Sequence, residues 1–324
     1  MLYTNLFIKT YLAGYEKEGE SCIFLLYSTE PSYRIHYSIV IDSYEDGKKN
    51  KTLDILKKKL KKQKLDMLVW THPHKDHCMG LTDIIKNYCD KHTKILTPAI
   101  GNDLSRYDEN VRKVMSYINS LVHNRKIVDR YDVGQISNVC QTLMDRELRD
   151  IPLVKGIRFE IISPFSALGY SNADMKTLNY NCMSIGMVIQ LYAKDRAFYF
   201  LYTGDMDEDT ISMLLYKIEC EEIQLPQRYE YIKIPHHGSR ASEGLLDVLS
   251  EKIKSDVAAT TIFKSQNLPD PDLLNRYKNK VINVFRTDEM EDNIVKKRYI
   301  LAHSAAPQKA AGLCCQANAT AKED

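Results

Sequence analysis

Asp66-Met67-Leu68-Val69-Trp70-Thr71-His72-Pro73-His74-Lys75-Asp76-His77 is the stretch that decides what this chain is. Its first half is a continuous apolar run of strand length, and its second half packs three histidines and a carboxylate into six positions. A strand that ends in a polar loop delivers that loop to a sheet edge, where sites are built. In an extended turn His72 and His74 project to the same side, and Asp76 and His77 begin the next turn, so two pairs of donors converge on neighbouring cations. Imidazole and carboxylate are what zinc, manganese or iron accept, and two such ions roughly 3.5 to 4 Å apart form a clamp for hydrolysis.

Upstream, the first 42 residues alternate β-rich runs (Leu6 to Tyr11, Ser21 to Tyr27, Tyr37 to Ile41) with Gly14, Gly19 and Pro31, the pattern of a strand meander. Nine lysines then gather between Lys48 and Lys64, and Leu53, Leu56 and Leu60 recur among them at helical spacing. This predicts an amphipathic helix whose lysines form a solvated outer face or meet a phosphate backbone, since Lys serves either use.

Downstream, Leu81 to Ile85 begins a helix, Ile95 to Thr97 is a short strand, and Val111, Val114, Met115, Ile118 and Leu121 mark a second long helix within Asn102 to Asn124. Strands follow around Ile157 to Ile162, Ser184 to Tyr192 and Ala197 to Thr203, the last two joined by a hairpin loop. A helix over Asp207 to Leu215, a strand over Tyr231 to Ile234 and a helix beginning at Leu245 to Leu249 complete the pattern. Two halves of β-then-α repeat, which predicts sheets sandwiched by helices in one domain over residues 1–301. From Ala302 to Asp324 the chain turns alanine-rich without apolar period and is expected to be a disordered tail.

Composition narrows the function classes. At 324 residues, 44% hydrophobic and 27% charged, the chain is ordinary globular material. A net charge of +2 gives no overall basic field of the kind a dedicated nucleic-acid binder carries. The longest apolar stretches, Ile185 to Leu191 and Ala197 to Tyr202, fall far short of the roughly 20 residues of a membrane span. The first residues lack a basic region and a cleavage site, so a cytoplasmic protein is expected. No C-x-x-C pair occurs among the eight cysteines, which excludes a zinc ribbon and predicts reduced, mostly buried thiols. Neither G-x-x-x-x-G-K nor G-x-G-x-x-G is present, and Ser239 has no G-x-S-x-G elbow around it, so phosphate-loop and serine-nucleophile chemistries fall away. The 21 tyrosines are assigned to cores and sheet faces.

His-x-His-x-Asp-His after an apolar strand resembles the signature of the metallo-β-lactamase superfamily. Phe200-Leu201-Tyr202-Thr203-Gly204-Asp205 looks like that family's strand-ending T-G-D, whose aspartate bridges both metals, and Pro235-His236-His237-Gly238-Ser239 looks like its P-H-H-G-S segment. Ile39-Val40-Ile41-Asp42 resembles the strand whose aspartate precedes the family's first helix. With Asn181-Cys182-Met183-Ser184 and Arg286-Thr287-Asp288, the order of motifs is similar to the soluble hydrolase domain of bacterial competence DNA-uptake channels. The motifs span Thr71 to Asp288.

The resemblance implies an α/β fold, a four-layer αββα sandwich, with two divalent ions, Zn2+ or Mn2+, at one edge between the sheets. His72 and His74 would hold one ion, Asp76, His77 and His236 the other, with Asp205 between them. Asp76 would also orient the attacking water. His237 would touch the substrate and protonate the leaving group, or replace His236 as ligand, since sequence does not order that adjacent pair. Two departures stand out: between His77 and Asp205 the chain offers only His92 and His123 as a further histidine, and Asn267-Leu268-Pro269-Asp270-Pro271 stands where the competence branch often has His-Pro. The reaction this favours is metal-dependent hydrolysis of a phosphodiester, by a nuclease or phosphodiesterase with a nucleic acid or nucleotide as substrate and no membrane partner. Hydrolysis of a small lactone, thioester or phosphocholine ester, or a non-catalytic metal-binding role in a larger assembly, are its rivals.

Overall fold

The computed structural model describes residues 5–15, 19–30, 32–47, 49–100, 103–126, 130–133, 154–165, 168, 179–193, 196–249 and 254–302, and the backbone of 141–146. The first sheet takes β1 (Leu6–Gly14), β2 (Gly19–Ser28), β3 (Arg34–Asp46), β4 (Lys49–Asn50), β5 (Met67–Val69), β6 (Lys94–Pro98) and β7 (Arg130–Val133). The second takes β8 (Gln141–Arg146), β9 (Val154–Ser163), β10 (Gly186–Ala193), β11 (Ala197–Tyr202), β12 (Arg228–Tyr229), β13 (Tyr231–Lys233), β14 (Lys254–Thr260) and β15 (Val281–Arg286). The chain then returns to the first sheet with β16 (Ile294–Ala302), antiparallel to β1. Of the tail expected over Ala302 to Asp324, Ala302 is instead the last residue of β16, and 303–324 lie outside the described residues.

Helices α1 (Lys51–Leu60), α2 (Lys75–Cys78), α3 (Leu81–Tyr88) and α4 (Glu109–His123) fall in the first half, and α5 (Glu208–Glu219), α6 (Leu245–Val248) and α7 (Pro271–Lys280) in the second. Their starts carry side-chain caps: Asn50 Oδ1 accepts from Leu53 N at 2.8 Å, and Asp207 Oδ1 accepts from Thr210 N at 3.1 Å. Of the lysines expected on the outer face of α1, Lys57 and Lys58 are exposed, as are Lys61 and Lys62 just past its last residue.

Side-chain alternation along the strands sorts the apolar residues into three cores. On β2, Cys22, Phe24 and Leu26 join Met187, Ile189 and Leu191 of β10 and Phe198, Phe200 and Tyr202 of β11 in a core between the sheets. The other face of β2, Ile23, Leu25 and Tyr27, packs with Leu53, Leu56 and Leu60 of α1 and Val111, Val114, Met115 and Ile118 of α4. Val188, Leu201 and Ile232 of the second sheet meet Ile211 and Leu214 of α5 and Leu273 and Tyr277 of α7. Three cores separate four layers, helix, sheet, sheet and helix, so the fold is the αββα sandwich expected. Strands buried on both faces read as continuous apolar runs for this reason.

Parallel pairing places the site. β3, β5 and β6 run parallel in the first sheet (Ile41↔Val69, Val69↔Leu96), as do β11, β13 and β14 in the second (Leu201↔Ile232, Lys233↔Ala259). The loops leaving the carboxyl ends of β5, β11 and β13 carry His72 to His77, Thr203 to Asp205 and His236 to His237. Ile185 N donates to Thr71 O at 3.0 Å and ties the two sheets at that edge. Gly204 sits in this join with φ +54°, and a Cβ there would stand 3.1 Å from Thr71 Cβ, so only glycine fits without strain. Among the described residues, Cys22, Cys78, Cys89 and Cys182 are buried free thiols and Cys220 is exposed, and no helix is long and apolar enough to cross a membrane.

Candidate metal centre

Asp42 on β3 organises the first-sheet half of the site. Its Oδ1 accepts from Thr71 N at 2.7 Å, and its Oδ2 accepts from Thr71 Oγ1 at 2.6 Å and from His77 Nδ1 at 2.8 Å. A carboxylate only accepts, so His77 carries its hydrogen on Nδ1 and turns Nε2 away from Asp42. The Thr71 hydroxyl, having given its hydrogen to Asp42, accepts from His72 Nδ1 at 2.9 Å. His72 Nε2 is thereby left as a lone pair, 3.1 Å from His74 Nδ1.

The second-sheet half repeats this logic. Thr261 Oγ1 donates to Glu20 Oε2 and accepts from His237 Nδ1 at 2.7 Å, which turns His237 Nε2 toward Asp205 Oδ2 at 3.5 Å and Asp76 Oδ2 at 3.8 Å. His77 Nε2 points into the same space, 3.3 Å from Asp205 Oδ2 and 3.9 Å from Asp76 Oδ2, and is buried without a hydrogen-bond partner among the described residues. Lys233, reaching in from β13, lies 3.1 Å from Asp205 Oδ1.

Two donor groups result, His72 with His77 and Asp205, and Asp76 with His77 and His237, the ligand atoms of each lying within 4.8 Å of one another. A buried imidazole nitrogen, oriented by one carboxylate and facing two more, becomes a ligand when a divalent cation displaces its proton. The donor set therefore fits such an ion. His74 stands beside the first group through His72.

Of the adjacent histidines, His237 reaches Asp76 and Asp205, whereas His236 stands outside both groups with Nε2 3.2 Å from Asn181 Nδ2. Of the two orders the sequence leaves open, the structure brings His237 to the donors and leaves His236, named first as the ligand, outside both groups. Both residues take left-handed φ, +47° and +51°, and both line the cavity, His237 with Nε2 facing Asp76 and Asp205 and His236 beside Asn181. His92 is exposed, and neither it nor His123 belongs to a donor group among the described residues.

Charge follows the geometry. Burial works against a charged His77, but Asp205, Asp42 and Asp76 outweigh it and hold its proton well above the ordinary imidazole range. His237 is raised in the same way, burial being outweighed by Asp205 and by its contact with Asp76. Burial drives His72 well below that range and lowers His74 and His236. Burial opposes ionisation of Asp76, yet His77 and His237 pull it down to about 2. Asp205 is likewise held well below the carboxylate range, Lys233 and His77 overcoming its burial. Protons on His77 and His237 thus supply positive charge where a cation would otherwise supply it.

The donors open onto a cavity of about 410 Å³ whose wall includes His74, Lys75, His236, Phe263 and Gln266. The Phe263 ring lies 5.2 Å from that of His237. Glu20, Lys233 and Thr261 are the residues that motif reading passed over. The available signal was a lysine inside the apolar run Tyr231-Ile232-Lys233-Ile234, where a charge has to find a partner.

No protein-family model matches the sequence, and no curated protein matches it. Among solved structures the chain is similar to the Rm3 metallo-beta-lactamase (11% identity, 74% of this chain and 84% of that one, TM-score 0.34). It is also similar to a metallo-beta-lactamase from Pontibacter korlensis (14%, 76% and 94%, TM-score 0.32). A third likeness is to MEM-A1, a subclass B3 metallo-beta-lactamase isolated from a soil metagenome library (7%, 74% and 86%, TM-score 0.33). The architecture stands on this chain's own two sheets and three cores: a four-layer αββα sandwich. At one edge of that sandwich it carries histidine and aspartate groups that fit a divalent metal.

Proposed function

We propose that the protein is a divalent-metal-dependent hydrolase that cleaves a phosphodiester, with a nucleic acid or nucleotide as substrate and Zn2+ or Mn2+ as the metal. The observation that carries this is the pair of donor groups sharing His77 beneath a single cavity. Divalent cations held there supply Lewis-acid polarisation of a phosphoryl oxygen and of the attacking water. The chain's own residues do the rest. His72, Asp205, Asp76, His77 and His237 hold the cations, with His74 beside His72. Asp76, ionised and partly open to the cavity, accepts a hydrogen bond from the water and orients it. His236, neutral at pH 7 and on the wall, faces the substrate and the leaving oxygen. Lys75, exposed on the same wall, offers positive charge to phosphate oxygens, and Phe263 offers an apolar face to a sugar or base.

The test is hydrolysis of bis(p-nitrophenyl) phosphate and of single-stranded DNA by metal-free protein titrated with Mn2+ or Zn2+, with Asp205→Ala as control. Metal-dependent cleavage that the control lacks is the expected result. Bound metal without turnover on either compound rejects the phosphodiester and directs attention to lactones, thioesters and phosphocholine esters. Absence of bound metal in wild-type protein rejects the metal centre altogether.

A further inference from the structure

A third set of metal-competent donors exists, and it is closed. Glu20, Asp205 and His237 bring ligand atoms within 4.8 Å of one another. The place a cation would take beside their carboxylates is filled by the ammonium of Lys233, whose Nζ lies 2.6 Å from Glu20 Oε1, 3.1 Å from Asp205 Oδ1 and 2.6 Å from Gly204 O. Lys233, Glu20 and Asp205 are 1%, 2% and 2% exposed. Three acceptors use the three hydrogens of an ammonium, so the group is fully satisfied and fixed.

Asp205 is divided by this arrangement. Its Oδ1 belongs to Lys233, and its Oδ2 faces Nε2 of His77 and of His237 at 3.3 and 3.5 Å. Glu20 is divided too: Oε1 holds Lys233, while Oε2 accepts from the Thr261 hydroxyl that in turn accepts from His237 Nδ1. One carboxylate from β2 therefore reaches two donors of the second sheet by two separate arms. Burying a Lys–Glu pair gains little stability against an apolar pair of the same volume, so its position beside the donors calls for another account.

We propose that Glu20 and Lys233 are a positioning pair for the metal centre: Lys233 takes a cation's seat against Asp205 Oδ1, so that Oδ2 alone is offered to divalent metal, and Glu20, through Thr261, keeps the hydrogen of His237 on Nδ1. This rests on the metal centre proposed above.

The experiment uses the full chain and Co2+ as the probe. Wild type, Lys233→Met, Lys233→Arg and Glu20→Gln are compared by competition titration for Co2+ affinity, by the visible absorption of the Co2+-loaded protein, and by kcat and KM on bis(p-nitrophenyl) phosphate. Lys233→Met and Glu20→Gln are expected to weaken Co2+ binding about 10–100-fold, the usual effect of removing a group that orients a ligand. They should also shift the visible bands and lower kcat more than they raise KM, and Lys233→Arg should recover part of each. If Lys233→Met does not fold, Glu20→Gln and Lys233→Arg, which keep volume, carry the same readouts. A pair that served only the fold would lower the unfolding temperature and leave Co2+ affinity and spectrum unchanged, which overturns the proposal. Wild type that binds Co2+ with variants indistinguishable from it overturns the pair alone, whereas wild type that binds no Co2+ overturns the metal centre with it.

Discussion

Replacing Asp42 with Asn removes one charge and one acceptor from the residue that orients His77. The carboxylate accepts three hydrogen bonds, from Thr71 N, Thr71 Oγ1 and His77 Nδ1, at 2.7, 2.6 and 2.8 Å. An amide has one oxygen, so in either orientation its NH2 faces at least one of these donors. If the NH2 faces His77, the imidazole must keep its hydrogen on Nε2, and that nitrogen can no longer offer a lone pair to a cation. If it faces Thr71 N, a buried donor is left unpaired, at a cost of about 1–3 kcal/mol. The backbone is not disturbed, because Asp42 has φ +58° and Asn tolerates that region as well as Asp does. The expected result is a folded protein whose metal affinity falls about 10–100-fold, or roughly 1.4–2.8 kcal/mol at 1.4 kcal/mol per decade. Competition with a chromophoric chelator measures the affinity, and a thermal melt of the metal-free protein measures the stability. Asp42→Asn protein that melts normally and binds metal as tightly as wild type would refute this account of how His77 is held.

Four further outcomes are expected. His237→Ala should lose most metal binding, while His236→Ala keeps it and loses turnover; chelator titration and phosphodiester hydrolysis side by side separate the two, and the opposite pattern would exchange their roles. Metal affinity should rise with pH, because His77 and His237 hold their protons above the ordinary 6.5 and must release them to bind a cation. The same sign governs the metal-free fold: stabilisation from these two imidazolium groups is complete below about pH 6.5 and is lost as pH rises through their folded values, so melts in chelator should fall above neutrality and recover with Zn2+. Phe24, buried between the sheets with its ring 5.2 Å from that of Phe200, should cost about 3–5 kcal/mol when cut to Ala, read by urea denaturation, with metal affinity unchanged.

Much of this was legible in the sequence. Runs buried on both faces show as continuous apolar stretches, which is why the sandwich could be anticipated from residues such as Ile23 to Leu26 and Ile185 to Leu191, and the donors on the loop after β5 are adjacent in sequence. Helix α7 and strands β14, β15 and β16 were passed over, although Asp270, which accepts from the Asp272 and Leu273 amides at 3.0 Å, and Pro271 behind it form a helix start that can be read locally. The order of His236 and His237 depends on two left-handed residues that no periodicity marks. Glu20 and Thr261 lie 241 positions apart, and a contact of that span between an ordinary glutamate and an ordinary threonine leaves no local trace.

The join between the sheets has a consequence for how the chain matures. Asp42, His72, His77 and Asp76 leave the ribosome early, Asp205 and His237 much later, and Thr261, which fixes His237, later still. A nascent or truncated chain ending before residue 233 carries Glu20 and Asp76 without Lys233 and His237, the groups that neutralise them. Only a chain extended past residue 261 brings the donors of both sheets together, so a divalent ion would be gripped only once both halves have folded.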